Sequence, residues 1–380
     1  MTQLILQDGT TFQGEPFGFA GDTDGEVVFN TGMAGYVESL TDPSYEGQIL
    51  VFTYPLIGNY GVPTEEKNAY GFAQNMESER IHVRGVIMAQ ASEHFSHQAA
   101  ASSLQRWLEH HKIPAITGVD TRALTKKLRE HGVMLGRIAQ EGGENTAIED
   151  PNERNLVAEV SCKEPVTYEP QPSSGDAGLR PAGKENAINK AVVVFDCGIK
   201  NNILRSFLKR GITVHRVPWN YDLASSNLKF DGVFISNGPG DPKKCDATIK
   251  QIQWSIEKKL PTFGICLGNQ LLALAIGGDT FKLKYGHRGV NQPCIEHDAQ
   301  GNKTKKCIIT SQNHGFAVKP DQLPLDWKIW FTNANDGTVE GIRHDSGRFL
   351  SVQFHPEATP GPEDANYLFD EFVKVLDGRE

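Results

Sequence analysis

Cys266 stands between two glycines in the stretch Gly264-Ile265-Cys266-Leu267-Gly268, with the apolar run 260–265 before it and 271–276 after it. The spacing has the G-x-nucleophile-x-G form of an elbow, a sharp strand-to-helix turn in which side chains at the flanking positions would collide. Such a turn holds a thiol outward. A helix starting at Leu267 would aim its free N–H groups and the positive end of its dipole at the sulfur, favouring thiolate and offering donors to an oxyanion. A cysteine at a strand end can also be a small buried core residue. The elbow alone therefore leaves the chemistry open.

Two further stretches bear on it. Ser236-Asn237-Gly238-Pro239-Gly240-Asp241-Pro242 follows the strand-like DGVFI, and its glycines let the backbone approach a ligand, so Gly238 and Gly240 could complete an oxyanion hole. Taken alone, the same residues make a tight loop. Gln353-Phe354-His355-Pro356-Glu357 places a histidine at the end of the strand-like RFLSVQF with a carboxylate two residues on. Histidine is the usual base for a thiol, and a neighbouring carboxylate fixes its tautomer and supports the imidazolium.

These residues need a scaffold that gathers them. The second half of the chain alternates strand and helix: AVVVFD, a helix to Arg210 stopped by Gly211, ITVHRVP, DGVFIS, a helix near 247–259, PTFGI and a helix over 267–276. Alternation of this kind implies βαβ units around a mostly parallel sheet flanked by helices, with reactive groups at the carboxyl ends of the strands. Several short strands are expected next, then a helix carrying Ala365, Leu368, Phe369, Phe372 and Leu376 at helical spacing.

The first half reads as a mixed β-rich domain. A hairpin turns at Asp8-Gly9, strands are expected at EVVFNT, QILVFTYP and IHVRGVIMAQ, and helices near 97–112 and from an Asp120 cap to Gly132. The proline- and glycine-rich segment 164–190 has the composition of a connector, which gives domains at 1–163 and 191–380.

The composition narrows the partners. A formal charge of −9 arises from 38 basic and 47 acidic residues mixed along 380, so neither nucleic acid nor a membrane surface is expected as a partner. No signal pattern or membrane-spanning apolar run is present, and a cytoplasmic location is expected. Six scattered cysteines without a CxxC pair argue against both a disulfide framework and a zinc site. The pairs His94/His97 and His110/His111 have no carboxylate or cysteine at ligand spacing, and no metal is expected.

GICLG, SNGPGDP, SQNHGFAV and QFHPEATPGP together resemble the class I, triad-type glutamine amidotransferases, and among them the carbamoyl-phosphate synthetase small-subunit family. The likeness extends into the first half through GEVVFNTGMAGYVESLTDPSYEGQILVFTYPLIGNYG and GVDTRALTKKLREHG, and so covers nearly the whole chain. It implies that Cys266 is the nucleophile, His355 the general base and acid, and Glu357 its orienting carboxylate. It also implies that L-glutamine is held by Ser44, Gly238, Gly240, Leu267, Gln270, Asn313, Gly315 and Phe316, in a cleft between the two domains. Cys245 matches a family cysteine near the site, although a structural thiol is an equal reading. One departure is Asn269, where many relatives carry histidine; because His355 is the base, Asn269 is not expected to cost activity.

No G-x-x-x-x-G-K-[ST] phosphate loop is present. The resemblance therefore implies no cofactor in this chain, with ATP and bicarbonate used by a large partner subunit. A catalytically silent regulatory subunit of the same fold is the alternative, opposed by the intact Cys266, His355 and Glu357. A cysteine peptidase-like hydrolase would leave the first domain unexplained.

Overall fold

A computed structural model of the protein describes residues 2–140, 147–171 and 190–378. The chain divides into two compact units, Met1–Leu156 with Lys284–Gly289, and Val157–Leu283 with Val290–Glu380. Most of the proline- and glycine-rich segment, residues 172–189, lies outside the described residues. Its first part is not a connector: Val166–Tyr168 forms a strand antiparallel to Thr213–Pro218, pairing Val166 with Arg216. Val166 and Tyr168 alternate with Thr167, a β pattern too short to register against the prolines around it.

The first unit is a closed barrel. Around it run Thr2–Leu6, Met134–Ala139, Thr23–Asn30, Gln48–Phe52, Gly85–Ile87, Pro114–Thr117 and Thr11–Gly18, which pairs back to the first. Alternation divides neighbouring side chains between two cores. Val27, Ile49, Ile87 and Ile116 pack with Leu4 and Leu6, while Val28, Leu50, Val86 and Ala115 pack with Tyr36, Leu104 and Trp107 from helices. The hairpin at Asp8-Gly9 forms, with Gly9 at φ 84°. The helix expected over 97–112 is shorter, Leu104–His110, because the Ser103 hydroxyl accepts from Arg106 N–H and starts it there. Ala100–Ser102 is a strand instead. His111 does gain a carboxylate, from far away in sequence: Glu65 bonds His111 Nε2 at 2.8 Å and Trp107 Nε1 at 2.8 Å. Ser44 lies in this unit, in the short turn Pro43–Tyr45, its N–H donating to Asp42 Oδ1 at 2.9 Å.

The second unit is built on a ten-stranded sheet. Its central strands, Thr213–Pro218, Ala191–Asp196, Gly232–Ile235, Thr262–Ile265 and Phe349–Val352, are parallel in that spatial order. Val339–His344 then pairs antiparallel with Phe349–Val352 and begins an extension containing Trp327–Asn333. The region read as several short strands is dominated by two long ones, Thr280–His297 and Lys303–Val318. Their polar, half-exposed faces, with Gly286 and Pro293 inside the first, look like breaks when read by apolar content alone.

One face of the parallel strands packs against a phenylalanine cluster that holds the final helix, Tyr367–Leu376. Phe234 sits at its centre, with ring centroids 4.9 Å from Phe207, 5.7 Å from Phe263, 6.3 Å from Phe369 and 6.2 Å from Phe372. All five rings are buried. Truncating the central ring leaves a cavity the stacked neighbours cannot close, so Phe234→Ala is expected to destabilise this unit by about 3–5 kcal/mol. Chemical denaturation of the variant checks this; a loss below about 1 kcal/mol contradicts the packing role.

Candidate active site

Cys266 caps the helix Leu267–Ala275 with φ 55° and ψ −103°, a conformation that residues with a Cβ rarely adopt. Close packing around the turn imposes it. A Cβ at Gly264 would lie 2.5 Å from Gly268 O, and one at Gly268 would lie 2.3 Å from Ile235 O, so the elbow is wedged against the neighbouring strand and admits only glycine at both positions. The Cys266 N–H donates to Val352 O at 2.8 Å, which ties the elbow to the strand leading to His355. The sulfur faces Asn313 O at 3.6 Å.

Residues separated by nearly ninety positions meet here because their strands are adjacent and parallel. His355 N–H donates to Ser311 O at 2.9 Å, and the ring's Nδ1 lies 2.7 Å from Glu357 Oε1. The other ring nitrogen, Nε2, is buried and makes no hydrogen bond among the described residues, although the Cys266 sulfur acts on the ring. Ser311 and Asn313 alternate along one long strand, placing one backbone carbonyl beside His355 and the other beside Cys266. Farther along, Phe316 O accepts from Gln270 Nε2 at 3.0 Å. Gly315 is one step before it on that strand.

The glycine loop joins from another strand. A Cβ on Gly238 would stand 2.0 Å from Cys197 O and 2.9 Å from the Leu267 side chain, so its backbone reaches the Leu267–Ala275 helix only as glycine. Gly240 has φ 83°. The structure thus gathers Cys266, Leu267, Gln270, Gly238, Asn313, Phe316, His355 and Glu357 in one unit, while Ser44 belongs to the other.

Lys200 and Asn202 were not singled out from sequence. Lys200 Nζ lies 3.1 Å from Glu357 Oε1 and donates to Ala358 O at 2.6 Å, with both charged side chains buried. Asn202 Nδ2 donates to Glu357 O and Thr359 Oγ1. The loop carrying them is fixed by Asp196, whose carboxylate accepts from Gly198 and Ile199 N–H at 2.9 Å each and from Arg216 Nε at 2.8 Å. Lys200 follows the carboxyl end of a parallel strand, the one signal in sequence that could have marked it.

Charge follows from this geometry. Burial acts against charge on His355, but the carboxylate of Glu357 and the contact with Cys266 outweigh it and lift the ring to about 10. Burial would likewise raise Glu357, yet the Lys200 charge and His355 bring it down to about 2. His355 is thereby held as imidazolium against an ionised Glu357. The remaining cysteines differ in setting. Burial pushes Cys162 and Cys245 up to about 12 and raises Cys197 and Cys294 as well, while Cys307 is exposed. Among the described residues, no helix is long and apolar enough to cross a membrane.

Comparison with known proteins matches two separate stretches of the chain. Residues 4–138 match the model of the carbamoyl-phosphate synthase small chain, CPSase domain, and residues 193–375 match that of glutamine amidotransferase class-I. The arginine-specific small chain of carbamoyl phosphate synthase from Aspergillus oryzae is 46% identical over 375 residues, covering 97% of this chain and 79% of that protein. Multifunctional protein CAD of Squalus acanthias is 50% identical over 378 residues, 98% of this chain but 16% of that protein. The chain spans between 16% and 21% of the length of the multifunctional relatives it matches. Among solved structures, a glutamine amidotransferase from Thermotoga maritima covers 44% of this chain and 76% of its own, at 18% identity and a TM-score of 0.37.

The pair's pH behaviour follows in sign. The stability contributed by His355 is complete below its ordinary value of 6.5 and declines as pH rises through about 10. That of Glu357 is complete above 4.5 and is lost as pH falls through about 2. Because the Lys200 charge is the largest influence lowering Glu357, Lys200→Met should raise the Glu357 titration. Carboxylate NMR titration of wild type and variant checks this; a Glu357 titration that does not move contradicts the pairing.

Proposed function

The chain belongs to the carbamoyl-phosphate synthase small-chain family, and from that premise we propose that it hydrolyses the side-chain amide of glutamine at Cys266 and passes the ammonia to a large subunit. That subunit uses ATP and bicarbonate to make carbamoyl phosphate for arginine and pyrimidine biosynthesis, and this chain holds no cofactor of its own. The observation that carries the reading is the strained Cys266 at a helix N-terminus beside a buried His355–Glu357 pair. A reduced thiol is essential to it, which fits a cytoplasmic setting.

In the proposed reaction the proton of the Cys266–His355 pair rests on His355, and the Cys266 sulfur attacks the amide carbon of glutamine as thiolate. The oxyanion meets the N–H of Leu267 and the Gly238–Gly240 loop. His355 then gives its proton to the departing nitrogen, which leaves as ammonia, and a thioester remains on Cys266. Water, deprotonated by His355, attacks that thioester, releasing glutamate and restoring the thiolate beside the protonated His355. Gln270, Asn313, Gly315 and Phe316 are assigned to holding glutamine. Asn269 has a neutral partner at each side-chain atom, Gln353 Oε1 for Nδ2 and the Ser351 hydroxyl for Oδ1, which supports its being no cost to activity.

The reading is tested on the chain assembled with its large subunit. Cys266→Ala should abolish glutamine-dependent synthesis and leave synthesis from supplied ammonia; glutamine-dependent activity that survives would end the mechanism. The triad members should grade by role. His355→Asn removes a proton-transfer group and is expected to cost about 10²–10⁴-fold in kcat, with Glu357→Gln costing less because it only orients the ring. A greater loss at Glu357 would reverse the assigned roles.

A further inference from the structure

Four buried polar side chains behind the nucleophile form a chain of hydrogen bonds whose direction is forced. Phe316 O is a carbonyl and can only accept, so the Gln270 group 3.0 Å from it must be the NH2. That NH2 also lies 3.2 Å from the Gln353 side chain, which must therefore present its oxygen. The same Gln353 oxygen lies 3.2 Å from Asn269, which must present its NH2 in turn, and this leaves Asn269 Oδ1 to accept from the Ser351 hydroxyl at 2.8 Å. One backbone carbonyl thus fixes three amide orientations. Asn269, Ser351 and Gln353 are 0% exposed and Gln270 is 3% exposed, so water cannot substitute for a lost partner.

The arrangement carries a cost that shows it is constrained. Gln353 Nε2 is buried and has no hydrogen-bond partner among the described residues. Turning that amide would set NH2 against the NH2 groups of both Gln270 and Asn269, so the orphan donor is retained and the polarity of the chain is kept. Both N–H groups of Gln270 are engaged within the protein, which leaves Oε1, a pure acceptor, as its free function.

We propose that Gln353 and Asn269 are positioning residues for substrate specificity: by fixing the Gln270 amide, they present Oε1 to a donor and so select a substrate carrying a protonated amino group. The inference rests on the glutaminase reading above. It also gives a reason to expect Asn269 to be tolerated. Asparagine here uses one donor and one acceptor, the two functions a neutral histidine also has.

The test uses the full chain with its large subunit and two near-isosteric variants. Gln353→Met cannot accept from Gln270, and Asn269→Asp cannot donate to Gln353. Both should raise KM for glutamine by about 10–100-fold, the usual consequence of losing a hydrogen bond to a charged group, and leave kcat little changed. The control ligand is glutaramate, which is glutamine without its amino group. Its inhibition constant should stay where it is in wild type, and Asn269→His should keep the wild-type KM. A variant that raises the glutaramate constant as much as the glutamine KM shows a merely structural role and overturns the proposal, as does an unchanged KM. If wild type itself does not turn over glutamine, the parent reading falls and this inference falls with it; an active wild type with unaffected variants sinks this inference alone.

Discussion

The fixed point of the second unit is the contact of three glycines with backbone carbonyls. Gly264, Gly268 and Gly238 each sit where a Cβ would come within 2.6 Å of a carbonyl oxygen: Gly268 O, Ile235 O and Cys197 O respectively. These approaches press the elbow, the neighbouring strand end and the glycine loop together until Cys266 has no ordinary backbone conformation left. Strain at the cysteine is thus held by packing around it. Everything else in the site is arranged relative to that point: the strand leading to His355 is tied to Cys266 N–H, and the long strand through Ser311, Asn313 and Phe316 passes alongside.

A second constraint is charge in a buried place. An ionised Glu357 with no exposure would be prohibitive unless compensated, and Lys200, far away in sequence, and His355, two residues before it, supply the compensation. The lysine arrives on a loop that Asp196 has already ordered through backbone N–H bonds and Arg216. The charge of His355 therefore depends on Glu357, and that of Glu357 on a lysine that follows the end of a different strand.

Much of this was legible in sequence, and the reason is local. The Gly-x-Cys-x-Gly elbow, the glycine loop and the His-x-Glu pair are each contiguous, and alternation of strand and helix puts all three at carboxyl ends of one sheet. The Asp120 cap and the hairpin at Gly9 were likewise readable because a single side chain or a single φ decides them. Lys200 and Asn202 were not, since their partners lie more than 150 residues away. Glu65 beside His111 is the same kind of case. The two long strands were read as fragments because their exposed faces are polar and only their pairing makes them continuous. The strand Val166–Tyr168 was hidden by the prolines on either side of it.

The setting of the cysteines carries one more consequence. Four of the six sit in apolar or acid-flanked interiors that keep them as neutral thiols, and a neutral thiol is a poor nucleophile. An electrophile diffusing around the folded chain therefore meets Cys307 on the surface and the half-buried, neutral Cys162, while Cys266 is buried at its helix terminus. The fold has in effect sorted its own sulfur atoms, so that a bulky fluorophore has Cys307 as its first destination.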